Sequence, residues 1–170
     1  RIDASEQRRQ VQVEQLWASR NVVRPGDSLD LHLLLTGPGG VEMQRQASWR
    51  VPIGAALGQL QIAATDAMTA NLTDFSYLLQ QPPATATQVR SLLNGLRSNN
   101  VATLRVARME PSYTVQGQNL PDPPPSLALL LRKAPGVALP GVNSKLAEFA
   151  FPIEGYVVSG TKTITVEIKE

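Results

Sequence analysis

The feature that most constrains this chain is the alternation near its C-terminus. In Thr163-Ile164-Thr165-Val166-Glu167-Ile168-Lys169, the three β-branched apolar residues fall on one side of an extended backbone and the four polar ones on the other. A strand with one apolar face needs partners and a core to face. The segments best able to supply them lie at the opposite end of the chain, which predicts that the two termini come together.

The N-terminal third carries the matching pattern. Val11, Val13 and Trp17 share one parity, with Gln12 and Glu14 on the other, and Leu16 breaks the series in the manner of a bulge. The turn residues Arg24-Pro25-Gly26-Asp27 precede a strand in which Leu29, Leu31, Leu33 and Leu35 face one way and Asp30 and His32 the other. After the turn Thr36-Gly37-Pro38-Gly39-Gly40, residues 41–51 alternate again, with Val41, Met43, Ala47, Trp49 and Val51 on the apolar side and Arg45 as its exception. A fourth strand over residues 59–64 turns Leu60 and Ile62 inward. Short one-sided strands spaced by roughly ten residues and joined by Pro/Gly turns predict an immunoglobulin-like antiparallel β-sandwich.

The period then changes. Phe75, Leu78 and Leu79 mark a short helix that Pro82-Pro83 must stop. Thr85, with Gln88 three residues on, caps a stronger helix whose stripe is Val89, Leu92, Leu93 and Leu96. Residues 101–109 return to an extended pattern with Leu104 and Val106 inward, and Pro111-Ser112 predicts a hairpin corner leading to residues 113–116. A proline ridge, Pro121-Asp122-Pro123-Pro124-Pro125, introduces a third helix striped by Leu127, Leu130 and Leu131. Residues 146–153 alternate once more. The expected organisation is a single domain over residues 1–170, mainly β with an α insertion: sandwich strands in 8–64 and 145–169, a helix-strand-helix insertion over about 66–144, and a C-terminal strand or hairpin that closes the sandwich.

Composition narrows the chemistry. In 170 residues there are 16 Lys and Arg against 14 Asp and Glu, and the excess is scattered, which predicts no nucleic-acid surface. There is no cysteine and one histidine, so thiolate chemistry and multi-histidine metal centres are excluded. No apolar run reaches the length of a membrane span. The first residue is Arg1 rather than Met, from which the chain is expected to be a piece of a longer protein.

Candidate sites are few. His32 lies mid-strand on a polar face, where a structural role is expected rather than a place in a catalytic relay. Ser159-Gly160 lacks the glycine pattern of a nucleophile elbow and predicts a strand kink. Gly37-Pro38-Gly39-Gly40 lacks the lysine and helix of a phosphate loop. No catalytic, cofactor-binding or metal-binding residue is therefore expected. Trp17, Trp49, Tyr113 and Tyr156 raise the alternative of a carbohydrate-binding module, although the parity of both tryptophans predicts core packing. Tyr113 with Pro121, Pro123, Pro124 and Pro125 reads either as a partner-docking surface or as a rigid loop over a sheet edge.

Several stretches together resemble a known family. These are Ala86-Thr87-Gln88-Val89 onward to Leu96, Asn99-Asn100-Val101-Ala102-Thr103-Leu104-Arg105-Val106, Gln118-Asn119-Leu120-Pro121 with Pro124-Pro125-Ser126, Tyr156-Val157-Val158-Ser159-Gly160, and Val23-Arg24-Pro25-Gly26-Asp27. They resemble the C-terminal, non-catalytic region of bacterial serine peptidase-like proteins of the SpoIVB type, chiefly acidobacterial. The resemblance implies an extracytoplasmic parent protein with its peptidase-like domain upstream, and it transfers no catalytic residue to this chain. The expected partners are other domains of that parent or an envelope protein.

Overall fold

The computed structural model describes residues 9–79, 86–108, 112–115, 118–121, 124–131, 137–141 and 144–170. In chain order its elements are β1 (Gln10–Ala18), β2 (Val22–Val23), β3 (Ser28–Thr36), β4 (Glu42–Arg50), β5 (Gly58–Asp66), α1 (Ala67–Leu79), α2 (Ala86–Asn94), β6 (Val101–Arg108), β7 (Ser112–Val115), β8 (Gln118–Pro121), α3 (Pro125–Leu131), β9 (Val137–Gly141), β10 (Ser144–Pro152), β11 (Val157–Ser159) and β12 (Thr161–Ile168). A four-stranded sheet has the order β11-β1-β3-β4, a five-stranded sheet the order β10-β6-β5-β12-β2, and a small third sheet the order β8-β7-β9.

The two larger sheets make a β-sandwich because each has one continuous apolar face. Leu29, Leu31, Leu33 and Leu35 from β3 are completely buried, as are Leu60, Ile62, Leu104 and Val106 from β5 and β6, and all belong to one core cluster. Full burial of each large aliphatic side chain contributes about 1.5–3 kcal/mol relative to exposure, so this shared interior is the main source of stability. Trp49 and Val51 of the β4 region join it.

Trp17 does not. Parity with Val11 and Val13 places it inside, yet it is 38% exposed, while Leu16 is buried. The cause is the irregularity between Val13 and Gln15 in the pairing of β1 with β3. One extra residue there inverts every later side chain on β1. Trp17 thus faces outward opposite His32, and the two rings stack 5.1 Å apart at 11°.

The C-terminal strand pairs as its alternation requires. β12 runs antiparallel to β5 from Thr161 opposite Thr65 to Ile168 opposite Gly58, and its far side pairs in parallel with β2. β11 pairs in parallel with β1. The expectation of purely antiparallel sheets is therefore corrected at both chain ends. The expected C-terminal hairpin is corrected as well, because β11 and β12 lie in different sheets and the chain crosses between them at Gly160. Its φ of 93° favours glycine, its N–H donates to Asp66 Oδ2 at 2.8 Å, and its carbonyl accepts from the Asp66 N–H at 3.1 Å.

Two further expectations change. β6 lies within the range 66–144 expected as an insertion, but it is an integral strand of the five-stranded sheet, paired on one side with β5 and on the other with β10. Its apolar alternation buries Ala102, Leu104 and Val106 in the common core. Nor does β7 form a hairpin with β6; it pairs with β8 and β9. The predicted stop at Pro82-Pro83, the cap at Thr85 and the corner at Pro111 lie outside the described residues.

Replacing Gly160 by alanine forces a β-carbon into a positive-φ position 3.4 Å from Gln12 Cγ. The expected loss is about 1–2 kcal/mol in chemical denaturation. An unchanged unfolding midpoint overturns the assignment of Gly160 as the crossing point.

Candidate functional site

The outer face of the five-stranded sheet carries α1, and the way the helix is attached is unusual. Asp66 Oδ1 accepts the N–H of Thr69 at 2.7 Å and so caps its first turn. Among the described side chains the sheet-facing stripe at helical spacing is Ala67, Ala70, Asn71 and Asp74: the two alanines are buried, and none of the four is a large apolar residue. Beneath it, Gln61, Ala63, Thr65, Ala70, Thr73, Arg105 and Ala107 leave a cleft of about 140 Å³. Hydrophobic packing alone is a weak attachment for this helix.

Charge supplies the rest. Asp74 of α1 bonds Arg97 Nη1 through Oδ2 and Arg105 Nη2 through Oδ1, both at 2.7 Å. Glu148 of β10 completes a square: Oε1 accepts from Arg97, and Oε2 accepts from Arg105 Nη2 at 2.9 Å and Nε at 3.1 Å. Lys145 Nζ approaches Glu148 Oε2 at 3.4 Å. Asn71 ties the Arg97 backbone from both sides, donating to its carbonyl and accepting from its N–H at 3.0 Å each. The four charged side chains are only 13–26% exposed. Burial pushes the Glu148 carboxyl up, but the Arg97 hydrogen bond and the charges of Arg105, Lys145 and Arg97 outweigh it, taking the group from its ordinary 4.5 down to about 2. Burial likewise opposes the Arg97 cation, and the hydrogen bonds to Glu148 and Asp74 reverse that effect and hold it charged.

With the polar side of α1 turned to the sheet, its apolar side faces solvent. Met68 and Leu72 are 68% and 57% exposed, and Phe75 is exposed beside them. α2 exposes Val89 and Leu93, Leu96 is exposed two residues beyond its end, and α3 exposes Leu127, Leu129 and Leu130. Val89 and Leu93 lie one helical turn apart as predicted and face solvent; the expected stripe stops short of Leu96, because the helix ends at Asn94. Of the sequence-predicted docking residues, Tyr113 lies in β7 opposite Leu120, Pro121 ends β8 opposite Ser112, and Pro124 is exposed just before Pro125 opens α3. The chain thus places Tyr113 and Pro121 in one small sheet and the last two prolines at the root of α3. Pro123 lies outside the described residues.

The residues considered for catalysis are apart. Ser159 Oγ accepts from Gln10 Nε2 at 2.8 Å and donates to the Val11 carbonyl at 3.3 Å. Ser159 is in register with Gln12, Gln12 faces Thr36, and Thr36 is four residues beyond His32 in β3, about 13 Å along that strand. His32 instead stacks on Trp17. Gln10, Gln12, Thr36, Gly37, Pro38 and Ser159 line an open polar cleft of about 340 Å³. The Gly37-Pro38-Gly39-Gly40 segment is a 3-10 turn leading into β4, not into an α-helix. Among the described residues, no group of three or more His, Asp or Glu side chains is placed to hold a metal ion.

Comparison with family models, curated proteins and solved structures finds no match. No family is shown. The site is therefore defined by its own geometry: a polar, ion-bonded attachment beneath α1 and the exposed Met68, Leu72 and Phe75 on the other side of that helix. Reading the sequence missed the ion square. Its legible signal was a mid-strand charge flanked by apolar residues, Arg105 between Leu104 and Val106 and Glu148 between Ala147 and Phe149.

Glu148→Gln removes the carboxylate that holds both arginines, and the expected cost is about 1–3 kcal/mol. Hydrogen exchange should accelerate in α1 and around Arg97 before it does in β3. Because the Glu148 pKa is depressed in the folded state, its contribution is fully present above pH 4.5 and lost as pH falls toward 2. The difference in stability between wild type and Glu148→Gln should shrink across that window. A difference independent of pH refutes this account.

Proposed function

We propose that this chain is a non-catalytic β-sandwich module of a larger extracytoplasmic bacterial protein, and that it positions or regulates a serine peptidase-like domain upstream of it. The observation that carries the interaction role is the outward display of Met68, Leu72, Phe75, Val89, Leu93, Leu96, Leu127, Leu129 and Leu130. Apolar faces repeated on all three helices are a contact surface for protein, since scattered single exposures need no explanation but such stripes do. The partner is a domain of the same parent, a reading supported by the resemblance of residues 23–27, 86–96, 99–106, 118–121, 124–126 and 156–160 to the region that follows peptidase-like domains of the SpoIVB type. The sandwich is read as immunoglobulin-like and closed by its last strand, supported by the position of β12 between β5 and β2 and of β11 beside β1. The separation of Ser159 from His32 supports a module without its own catalytic relay.

A second reading has its own support in Trp17. An indole exposed on the outer sheet face and backed by His32 is a small stacking platform of the type that binds sugar rings.

The test is the reading frame upstream of Arg1 together with binding in trans. An export signal and a peptidase-like domain are expected there, and that domain should bind this chain. Met68→Ser/Leu72→Ser/Phe75→Ser should abolish binding while changing stability by no more than about 1 kcal/mol, because these side chains are mostly in solvent. Turnover of peptide by the isolated chain, lost on changing Ser159 or His32, sinks the proposal; glycan binding lost on Trp17→Ala would favour the second reading instead.

A further inference from the structure

A different surface carries an inference of its own. β4 is the terminal strand of the four-stranded sheet, and among the described residues no strand pairs with its outer edge. It is nine residues long and its register with β3 runs unbroken from Ser28 opposite Arg50 to Thr36 opposite Glu42. Of the devices that keep a long edge from pairing it lacks proline, lysine and a bulge, and it carries charge at Glu42, Arg45 and Arg50, the second of them on the core-facing parity.

The direction of its free backbone groups is fixed by bonds at both ends. The Gly37 N–H donates to the Val41 carbonyl and the Val51 N–H to the Asp27 carbonyl, each at 2.8 Å. In an antiparallel ladder, bonded and non-bonded pairs alternate. The odd-numbered residues from 41 to 51 therefore spend their N–H and C=O groups on β3. Glu42, Gln44, Gln46, Ser48 and Arg50 point theirs away, and all five are exposed.

We infer that this edge pairs with the same edge of a second copy, antiparallel about a two-fold axis at Gln46. That register brings even-numbered residues opposite one another, as the free groups require, and it uses the whole strand. Glu42 of each copy lies opposite Arg50 of the other, Gln44 opposite Ser48, and Gln46 opposite itself, where two carboxamides exchange donor and acceptor. On the inner face Met43 meets Trp49 and Arg45 meets Ala47, so the long charged side chain is set against a small one. Neighbouring registers lose this match. Centred on Arg45, Glu42 faces Ser48 and Arg50 faces Gly40; centred on Ala47, Glu42 faces Pro52, which has no N–H to give. The product is one continuous eight-stranded sheet, β11-β1-β3-β4 followed by the same order reversed, with an isologous interface.

The separate chain shows what must be exchanged. Arg45 Nη1 donates to the Gln44 carbonyl at 2.9 Å and Arg50 Nε to the Gly26 carbonyl at 3.2 Å. Pairing replaces the first by an N–H of Ser48 and turns the second arginine toward Glu42. Both are surface contacts, so the exchange is of like for like and the association is weak and reversible.

Sedimentation velocity on the full chain, at concentrations up to about 1 mM, reads the outcome. The wild type should show a monomer–dimer equilibrium that weakens with salt. Glu42→Arg or Arg50→Glu should each raise the dissociation constant by roughly tenfold, since the two-fold axis counts every lost pair twice. The double variant Glu42→Arg/Arg50→Glu should return to within roughly threefold of wild type, because opposite charges face one another again. Gln46→Pro should be monomeric; its lost N–H points to solvent in the single chain, and a circular dichroism melt checks that it folds. A wild type that stays monomeric throughout overturns the inference. So does a dimer indifferent to the charge swap and to Gln46→Pro, above all one dissolved by Leu72→Ser, which would place the contact on α1.

Discussion

The structure turns on the carboxylate of Asp66. One oxygen caps the first turn of α1 through the Thr69 N–H, the other takes the N–H of Gly160, and the Asp66 backbone N–H is given to the Gly160 carbonyl. A residue at the end of β5 thereby fixes both where the chain leaves the sheet and where it crosses back into it. Charge-assisted hydrogen bonds of this type are stronger than neutral ones. The sandwich core would bury its leucines without Asp66. The helix and the last strand would then lack a common origin.

The ion square follows from what that origin imposes. A helix launched at Asp66 lies over Gln61, Ala63 and Thr65, the polar or small side of β5, because Leu60, Ile62 and Ala64 are committed to the core. Small residues on α1 allow close approach there but contribute little burial. Asp74, Arg97, Arg105 and Glu148 hold the helix by charge in a partly dry setting where each ion has partners on two sides. Met68, Leu72 and Phe75, on the opposite side of α1, are left in solvent. Their exposure is a consequence of how the helix is held.

The features of this fold that were legible in the sequence are those governed by period. The four leucines of β3 and the alternation of β12 placed themselves, and Leu16 announced its bulge by breaking rank. The consequence for Trp17 was not legible, because one added residue inverts everything after it, and parity counted from Val11 and Val13 carries straight through the fault. Period also located Val89 and Leu93 on one stripe and ran it on to Leu96, past the end of the helix at Asn94; it gives the angle between side chains and not the direction of the core. The ion square joins residues 23 to 51 positions apart. Nothing local links them, and only the registration of β6 with β10, Glu148 opposite Arg105, brings the charges together.

The parallel pairing of the chain ends has a mechanical meaning. β1 runs parallel to β11 in one sheet and β2 parallel to β12 in the other, so each seam sets the entry end of an early strand and the exit end of a late one at opposite ends of its ladder. Tension between the N-terminus and the C-terminus acts along these ladders rather than across them. It loads their hydrogen bonds together in shear, whereas a hairpin pulled at its open end would lose its bonds singly, in sequence. Force applied between the two ends of this chain is carried through its β1–β11 and β2–β12 seams.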